Sequence, residues 1–105
     1  MTLQVETLPL ADEHLEEIQA WWFEKRRDVP FMVLDEYARI IALIGERPEI
    51  GRPYVRRGVR NVRWVLMHGS EHKVYYHDEP GSDVVSVIAV WGGARKGGPP
   101  IVLPK

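Results

Sequence analysis

The chain has 105 residues, a formal net charge of −1 and no cysteine. A chain of this length builds one modest core, so we expect a single domain over residues 1–105 and no separate cofactor domain. The absence of cysteine excludes a disulfide framework, a thiolate zinc site and a cysteine nucleophile.

The N-terminus and the charge distribution bear on location and partners. Residues 1–6 lack the basic region and apolar run of a signal peptide, and no apolar run reaches the ~18 residues of a membrane span. We therefore expect a cytoplasmic protein with no membrane partner. Residues 1–50 contain five Lys or Arg against eleven Asp or Glu, whereas residues 51–105 contain nine against four. The second half therefore predicts a basic face for a polyanion or an acidic peptide, although acidic residues also favour helix surfaces without any function.

The first fifty residues predict one short strand and two helices. Leu3 and Val5 alternate with polar residues, which favours an edge strand. Asp12 suits the N-cap of a helix over 12–28. Pro30 interrupts the pattern, and a second helix is predicted over 31–45, ending at Gly45, a typical stop residue. The two apolar stripes have helical spacing and consist of Leu15, Ile18 and Trp22, then Phe31, Leu34, Tyr37, Ala38, Ile41 and Ile44.

The second half predicts three strands and a glycine-rich basic tail. The strands cover 58–67, 72–77 and 83–91, and the last two are joined by turn residues as a hairpin. The near-continuous apolar character of 83–91 places that strand inside a sheet. In the first of these strands Val62, Trp64 and Leu66 share one face, and Arg63, Val65 and Met67 share the other.

These elements predict an α+β fold in the order β-α-α-β-β-β, with a helical hairpin on one face of a four-stranded, mostly antiparallel sheet. The predicted core is Leu15, Ile18, Trp22, Leu34, Ile41, Trp64, Leu66, Val74, Ile88 and Val90. Strand alternation places Arg63, Lys73, Tyr75 and His77 on the sheet face opposite the helices. The histidines at 14, 68, 72 and 77 show no ligand spacing with a carboxylate, so no metal and no cofactor is predicted.

Several short segments follow one another over almost the whole chain: Trp21-Trp22, Arg47-Pro48-Glu49-Ile50-Gly51-Arg52, Val59-Arg60, His72-Lys73-Val74-Tyr75-Tyr76, Ala89-Val90-Trp91-Gly92, and Arg95 with Pro99-Pro100. Together and in this order they resemble the RelE/ParE toxin superfamily. The resemblance implies the toxin of a bacterial type II toxin–antitoxin pair. It also implies a cognate antitoxin whose extended segment wraps the toxin in a hetero-oligomer.

The superfamily has two mechanisms. Ribonuclease members, which cut mRNA on the ribosome, look built around cations on the middle strands, an Arg after the last strand and a Tyr or His near the C-terminus. Here Arg63, Lys73 and Arg95 match the cations, with His77 or Tyr75 as a displaced acid or base. Against this, Val65 and Met67 stand where further cations are wanted, and neither Tyr nor His follows Arg95.

The resemblance is therefore closer to the ParE branch, which implies a binding toxin that poisons a target such as DNA gyrase and is not an enzyme. The alternatives are a ribosome-dependent mRNA endoribonuclease, with Arg63, Lys73, His77 and Arg95 as catalytic residues, and a non-toxic binding protein of the same fold. The predicted target-binding residues are Arg60, Arg63, Lys73, Tyr75, Arg95 and Lys96. The predicted antitoxin-binding residues are Trp21, Trp91, Arg60, Arg63 and Arg95.

Overall fold

A computed structural model describes residues 2–92, 95 and 97–104 of the chain. Its elements in chain order are β1 (Gln4–Thr7), α1 (Pro9–Lys25), α2 (Met32–Glu46), β2 (Arg52–Pro53), β3 (Val62–Met67), β4 (His72–His77) and β5 (Val84–Gly92), with a 3-10 turn at Pro48–Ile50. None of the helices in these residues is long and apolar enough to cross a membrane.

The strands form one mixed sheet in the order β1-β5-β4-β3-β2. β1 is parallel to β5, and the other pairs are antiparallel. The α+β class is confirmed, but the prediction of four strands is wrong because β2 adds a fifth. β2 pairs through only two residues, and Pro53 lacks an N–H group, which is why this segment serves as an edge strand.

The helix boundaries differ from the prediction at all four ends, by one residue at each end of α2 and by three residues at each end of α1. α1 begins at Pro9, since proline has no N–H to lose and is well tolerated in the first turn, and α1 ends at Lys25, three residues before the predicted end. α2 continues to Glu46, so Gly45 is not a stop residue. Its role is close packing, because a Cβ there would lie 3.0 Å from the carbonyl oxygen of Leu3, just before β1.

The helices cover one face of the sheet and enclose the main core. Leu15, Ile18, Trp22, Val74 and Val90 are buried there as predicted. The other buried members are Ala11, Val33, Tyr37, Ile44, Met67, Tyr76, Val85 and Val87. Ile41 packs against this core and is partly buried. Leu34 does not belong to it, because 42% of its surface is exposed.

The orientation of β3 is the reverse of the predicted one. Met67 is buried in the main core and Val65 packs against it, whereas Trp64 packs with the second cluster on the other face. Leu66 lies opposite Lys73, so it also points away from the helices. Both alternating sets of β3 contain at least two apolar residues, so periodicity alone does not choose reliably between the two faces.

A bulge in β5 moves Ile88 to the other face as well. Tyr75 pairs with Ala89 and Tyr76 pairs with Val87, which leaves Ile88 as the extra residue. Ile88 is buried as predicted, but together with Ala89 it lies in a second core on the face away from the helices. This second core consists of Val62, Tyr75, Ile88 and Ala89, with Leu8, Tyr54, Val59, Trp64, Trp91 and Ile101 packed against them.

The tail after β5 covers part of the face that the sequence predicted to be open. Ile101 packs on the second core, Pro99 is buried, and Arg56 donates a hydrogen bond to the Pro99 carbonyl oxygen at 3.3 Å. Tyr75 is consequently only 5% exposed.

Candidate functional site

A large concave surface lies between the two helices. We call it the helix groove, and its volume is about 920 Å³. Phe23 and Phe31 are 58% and 54% exposed beside it, with their ring centroids 6.2 Å apart. Its lining residues are Asp12, Leu15, Glu16, Gln19, Ala20, Phe23, Glu24, Phe31, Leu34 and Tyr37.

The groove follows from the antiparallel arrangement of the helices. Phe23, near the end of α1, meets Phe31, just before α2, whereas Asp12 at the start of α1 and Tyr37 within α2 line the same groove. Tyr37 is fixed by a 2.6 Å hydrogen bond between its hydroxyl and that of Thr7, and burial raises its pKa to about 12. The groove therefore has a firm wall at its Tyr37 end and two accessible aromatic rings at the other.

Sequence reasoning missed this groove, because it assigned Phe31 and Leu34 to a buried stripe. The available signal was Phe23, a large apolar residue of the first predicted helix that lies off the Leu15–Trp22 stripe. An apolar surface of this kind, bordered by polar groups, is typical of a site for another protein chain.

The predicted antitoxin-binding tryptophans differ in accessibility. Trp21 is 53% exposed and packs edge-on against Trp22. Trp91 is half-buried against the second core, and its ring lies 5.4 Å from that of His14. His14 accepts a hydrogen bond at its Nδ1 from the Val90 N–H, beyond the point where β1 stops pairing with β5.

Arg63 does not lie on the face of Lys73 and His77, so that prediction is wrong. It is opposite Tyr76 and therefore points to the helix side of the sheet. Its guanidinium donates hydrogen bonds to the carbonyl oxygens of Gly51 at 2.8 Å and Glu49 at 3.3 Å. In this position Arg63 holds the loop before β2, and the cause is the reversed orientation of β3.

Lys73, Tyr75 and His77 do share the outer face, but they are not gathered into one site. Lys73 Nζ lies 4.2 Å from the centroid of the Trp64 ring, and Tyr75 is buried beneath Tyr54 with ring centroids 5.2 Å apart. His77 is four residues along β4 from Lys73, about 13 Å at the usual rise of a strand. Tyr75 is thus too buried to meet a target without rearrangement.

Arg95 is the predicted site residue with the most informative contacts. Its guanidinium lies 4.5 Å from the centroid of the Trp91 ring and forms a 3.4 Å ion pair with Glu17 of α1. The side chain is about half exposed, so it remains accessible to a partner. Arg60 is exposed in the loop before β3. Lys96, predicted to bind the target, lies outside the described residues.

In the described residues, the side chains that could bind a metal ion do not lie together. Residues 2–92, 95 and 97–104 contain no group of three His, Cys, Asp or Glu side chains placed to hold an ion. Two surfaces are candidate sites by their geometry: the helix groove, and the region around Trp91 and Arg95 beside α1.

The similarity of this chain to known proteins lies in its structure. No family model and no curated protein matches the chain. A solved chain described as "Chromosomal ParDE TA system from P. aeruginosa" superposes with a TM-score of 0.69 and 10% sequence identity, covering 87% of this chain and 96% of that one. The two chains share a fold. At this identity the similarity concerns the fold alone, and it agrees with the fold that the RelE/ParE resemblance implied.

Proposed function

We propose that this protein is the toxin of a bacterial type II toxin–antitoxin pair and acts by binding a target such as DNA gyrase. In this proposal a cognate antitoxin neutralises the toxin and covers the helix groove. The fold that this chain shares with a ParDE chain supports its assignment to a toxin–antitoxin pair. The exposed Phe23 and Phe31 supply the apolar surface that an antitoxin would bury.

The observation that favours binding over RNA cleavage is the separation of the cations. Cleavage by 2′-hydroxyl attack needs a base, an acid and charge-stabilising groups around one phosphate. Arg63 is on the helix side of the sheet and is engaged with backbone carbonyls, whereas Lys73 is on the outer face. His77, the substitute acid or base, lies near the opposite end of β4 from Lys73.

One contact favours the ribonuclease alternative, in which the partners are the ribosome and mRNA. Lys73 pairs with Trp91 across the sheet, and Arg95 lies over the same indole ring. Cations beside aromatic rings are typical of sites that bind single-stranded nucleic acid, because the bases stack on the rings and the phosphates pair with the cations. Two histidines adjoin this cluster, since the His14 ring lies 5.4 Å from that of Trp91 and His72 lines a small pocket with Arg95. In the ribonuclease alternative an acid–base role near Arg95 would fall to one of them.

The test is induced expression of the chain without its genetic neighbour, with two variants. Arg95→Glu should abolish growth inhibition, because reversal of an exposed charge removes electrostatic complementarity to a partner. His77→Ala should leave inhibition largely intact. An SOS response and DNA breaks are the expected markers.

The ribonuclease alternative makes the opposite prediction. Loss of a general acid or base lowers cleavage by roughly 10² to 10⁴, so mRNA cleavage on translating ribosomes that disappears in His77→Ala would overturn the proposal. Co-expression with the neighbouring open reading frame should restore growth. If the wild-type chain inhibits nothing, the non-toxic alternative stands instead.

A further inference from the structure

A row of carboxylates runs along the α1 side of the helix groove. Asp12, Glu16 and Glu24 line the groove and are exposed, and Ala20 occupies the remaining position of the same series. Residues four apart on a helix lie about 5–6 Å from one another on one face. From Asp12 to Glu24 the row extends about 18 Å, at 1.5 Å per residue.

The charges of this row are largely uncompensated. Glu24 is 3.8 Å from Lys25, its neighbour in sequence, and both side chains are more than half exposed, so this pair contributes little. Asp12 and Glu16 form no ion pair within residues 2–92, 95 and 97–104. Arg26 pairs with Asp28, whereas Arg27 lines a neighbouring pocket with Phe23 and Glu24, so the basic residues that follow α1 lie at the Glu24 end of the row.

The groove thus combines an apolar lining with one edge of negatively charged side chains. The floor and far wall are Leu15, Phe23, Phe31 and Leu34, with Tyr37 closing one end. A length of about 18 Å accommodates about three turns of a helix. An amphipathic helix places an apolar stripe in such a groove and presents its flanking residues to the rim.

We propose that the helix groove binds an amphipathic helix of a partner protein whose apolar stripe is flanked on one side by Lys or Arg at three- or four-residue spacing. The cations pair with Asp12, Glu16 and Glu24, and the stripe covers Phe23 and Phe31. This inference deepens the proposed function, since the antitoxin is the partner expected to supply the helix. It assigns the antitoxin a basic helix for this surface.

The charge row acts as a specificity element. A helix with an identical apolar stripe but acidic flanks meets three like charges, and like-charge contacts reject wrong partners. A partly exposed ion pair changes an equilibrium constant by about two- to fivefold, so exchanging attraction for repulsion at one position should change affinity about tenfold.

The test uses two synthetic helical peptides of about eighteen residues with the same leucine stripe, one with Lys and one with Glu at the flanking positions. Binding is measured by calorimetry at low salt and at 1 M NaCl, where the Debye length is only about 3 Å and exposed charges are strongly screened. The Lys peptide should bind at least tenfold more tightly than the Glu peptide. The difference should shrink strongly at high salt.

Two pairs of variants locate the effect. Glu16→Lys should weaken binding of the Lys peptide about tenfold. Glu13→Lys makes the same change of net charge on the same helix outside the groove lining, and it should have a clearly smaller effect. Phe31→Asp should greatly weaken the binding of the Lys peptide, whereas Val55→Asp, at a residue that is 93% exposed and not part of the groove lining, should not.

Several results would overturn the inference: no binding of the Lys peptide, equal binding of both peptides, or equal effects of Glu16→Lys and Glu13→Lys. Self-association of the chain that is abolished by Phe31→Asp would also overturn it, because a second copy would then be the occupant. The proposed function fails separately. If the neighbouring gene product restores growth and binds Glu16→Lys as tightly as wild type, the toxin assignment stands and the basic helix does not.

Discussion

Removing one oxygen atom from Tyr76 tests how the loop before β2 is attached to the sheet. Tyr76 is completely buried, and its hydroxyl donates to the Pro48 carbonyl oxygen at 2.7 Å and accepts from the Gly51 N–H at 2.9 Å. Burial raises the pKa of this hydroxyl, so it stays protonated and able to donate at neutral pH. In Tyr76→Phe the ring keeps its packing while both backbone groups lose their partner.

The magnitude follows from the burial of those two groups. A buried polar group left without a partner costs about 1–3 kcal/mol. Gly51 is buried and bears the full cost, whereas Pro48 is half-buried and can recover part of its bond from water. We expect the free energy of unfolding to fall by about 2–4 kcal/mol, which for a domain of this size lowers Tm by about 10 °C or more.

The assay is urea unfolding followed by tryptophan fluorescence, with the midpoint compared at an unchanged m-value. Tyr75→Phe is the matched control. That tyrosine is the neighbour in β4 and almost as buried, and its described contacts are packing contacts in the second core. Equal midpoints for the two variants would refute the assignment of the Tyr76 hydroxyl as the anchor of the loop.

Two further predictions concern stability. Met67→Ala should lower the free energy of unfolding by about 2–5 kcal/mol, because Met67 is fully buried. Leu66→Ala should lower it clearly less, because Leu66 is half-buried on the opposite face. Equal urea midpoints for the two variants would contradict the orientation of β3. Burial lowers the pKa values of His14 and His72 in the folded chain. The unfolded chain therefore binds protons more readily than the folded chain as the pH falls. The free energy of unfolding should be highest well above pH 6.5, the ordinary histidine value, and should decrease as the pH drops below it. His14→Gln should reduce this loss between pH 7.5 and 5.5, and a midpoint that rises on acidification would contradict the shift.

The local patterns were sufficient for most of the fold. Leu15, Ile18 and Trp22 recur at the period of a helix, and 84–92 is apolar enough to require neighbours on both sides, which β1 and β4 provide. The pattern was insufficient where both alternating faces of a strand were mainly apolar. In β3 either alternating set could be buried, and the choice also decided that Arg63 supports a loop and does not face Lys73.

The candidate site was harder to predict than the fold because it depends on surfaces that only packing creates. Leu34 has the spacing of a core residue, yet α2 turns Val33 and Tyr37 toward the sheet and leaves Leu34 on the groove. Tyr75 has the parity of an outer-face residue, but Tyr54 and the tail cover it. Neither outcome is visible in local spacing, since each depends on segments distant in the chain.

The sequence by itself determined the two helices and four of the five strands, the charge difference between the halves and the absence of cysteine chemistry, because these depend on composition and on periodicities of 3.6 and 2 residues. The tertiary structure alone decided which face of β3 is buried, where β5 bulges at Ile88 and how the helices leave a groove between them. These features arise from fitting whole surfaces together. Their free energies are shared by residues far apart in the chain, so no short segment encodes them.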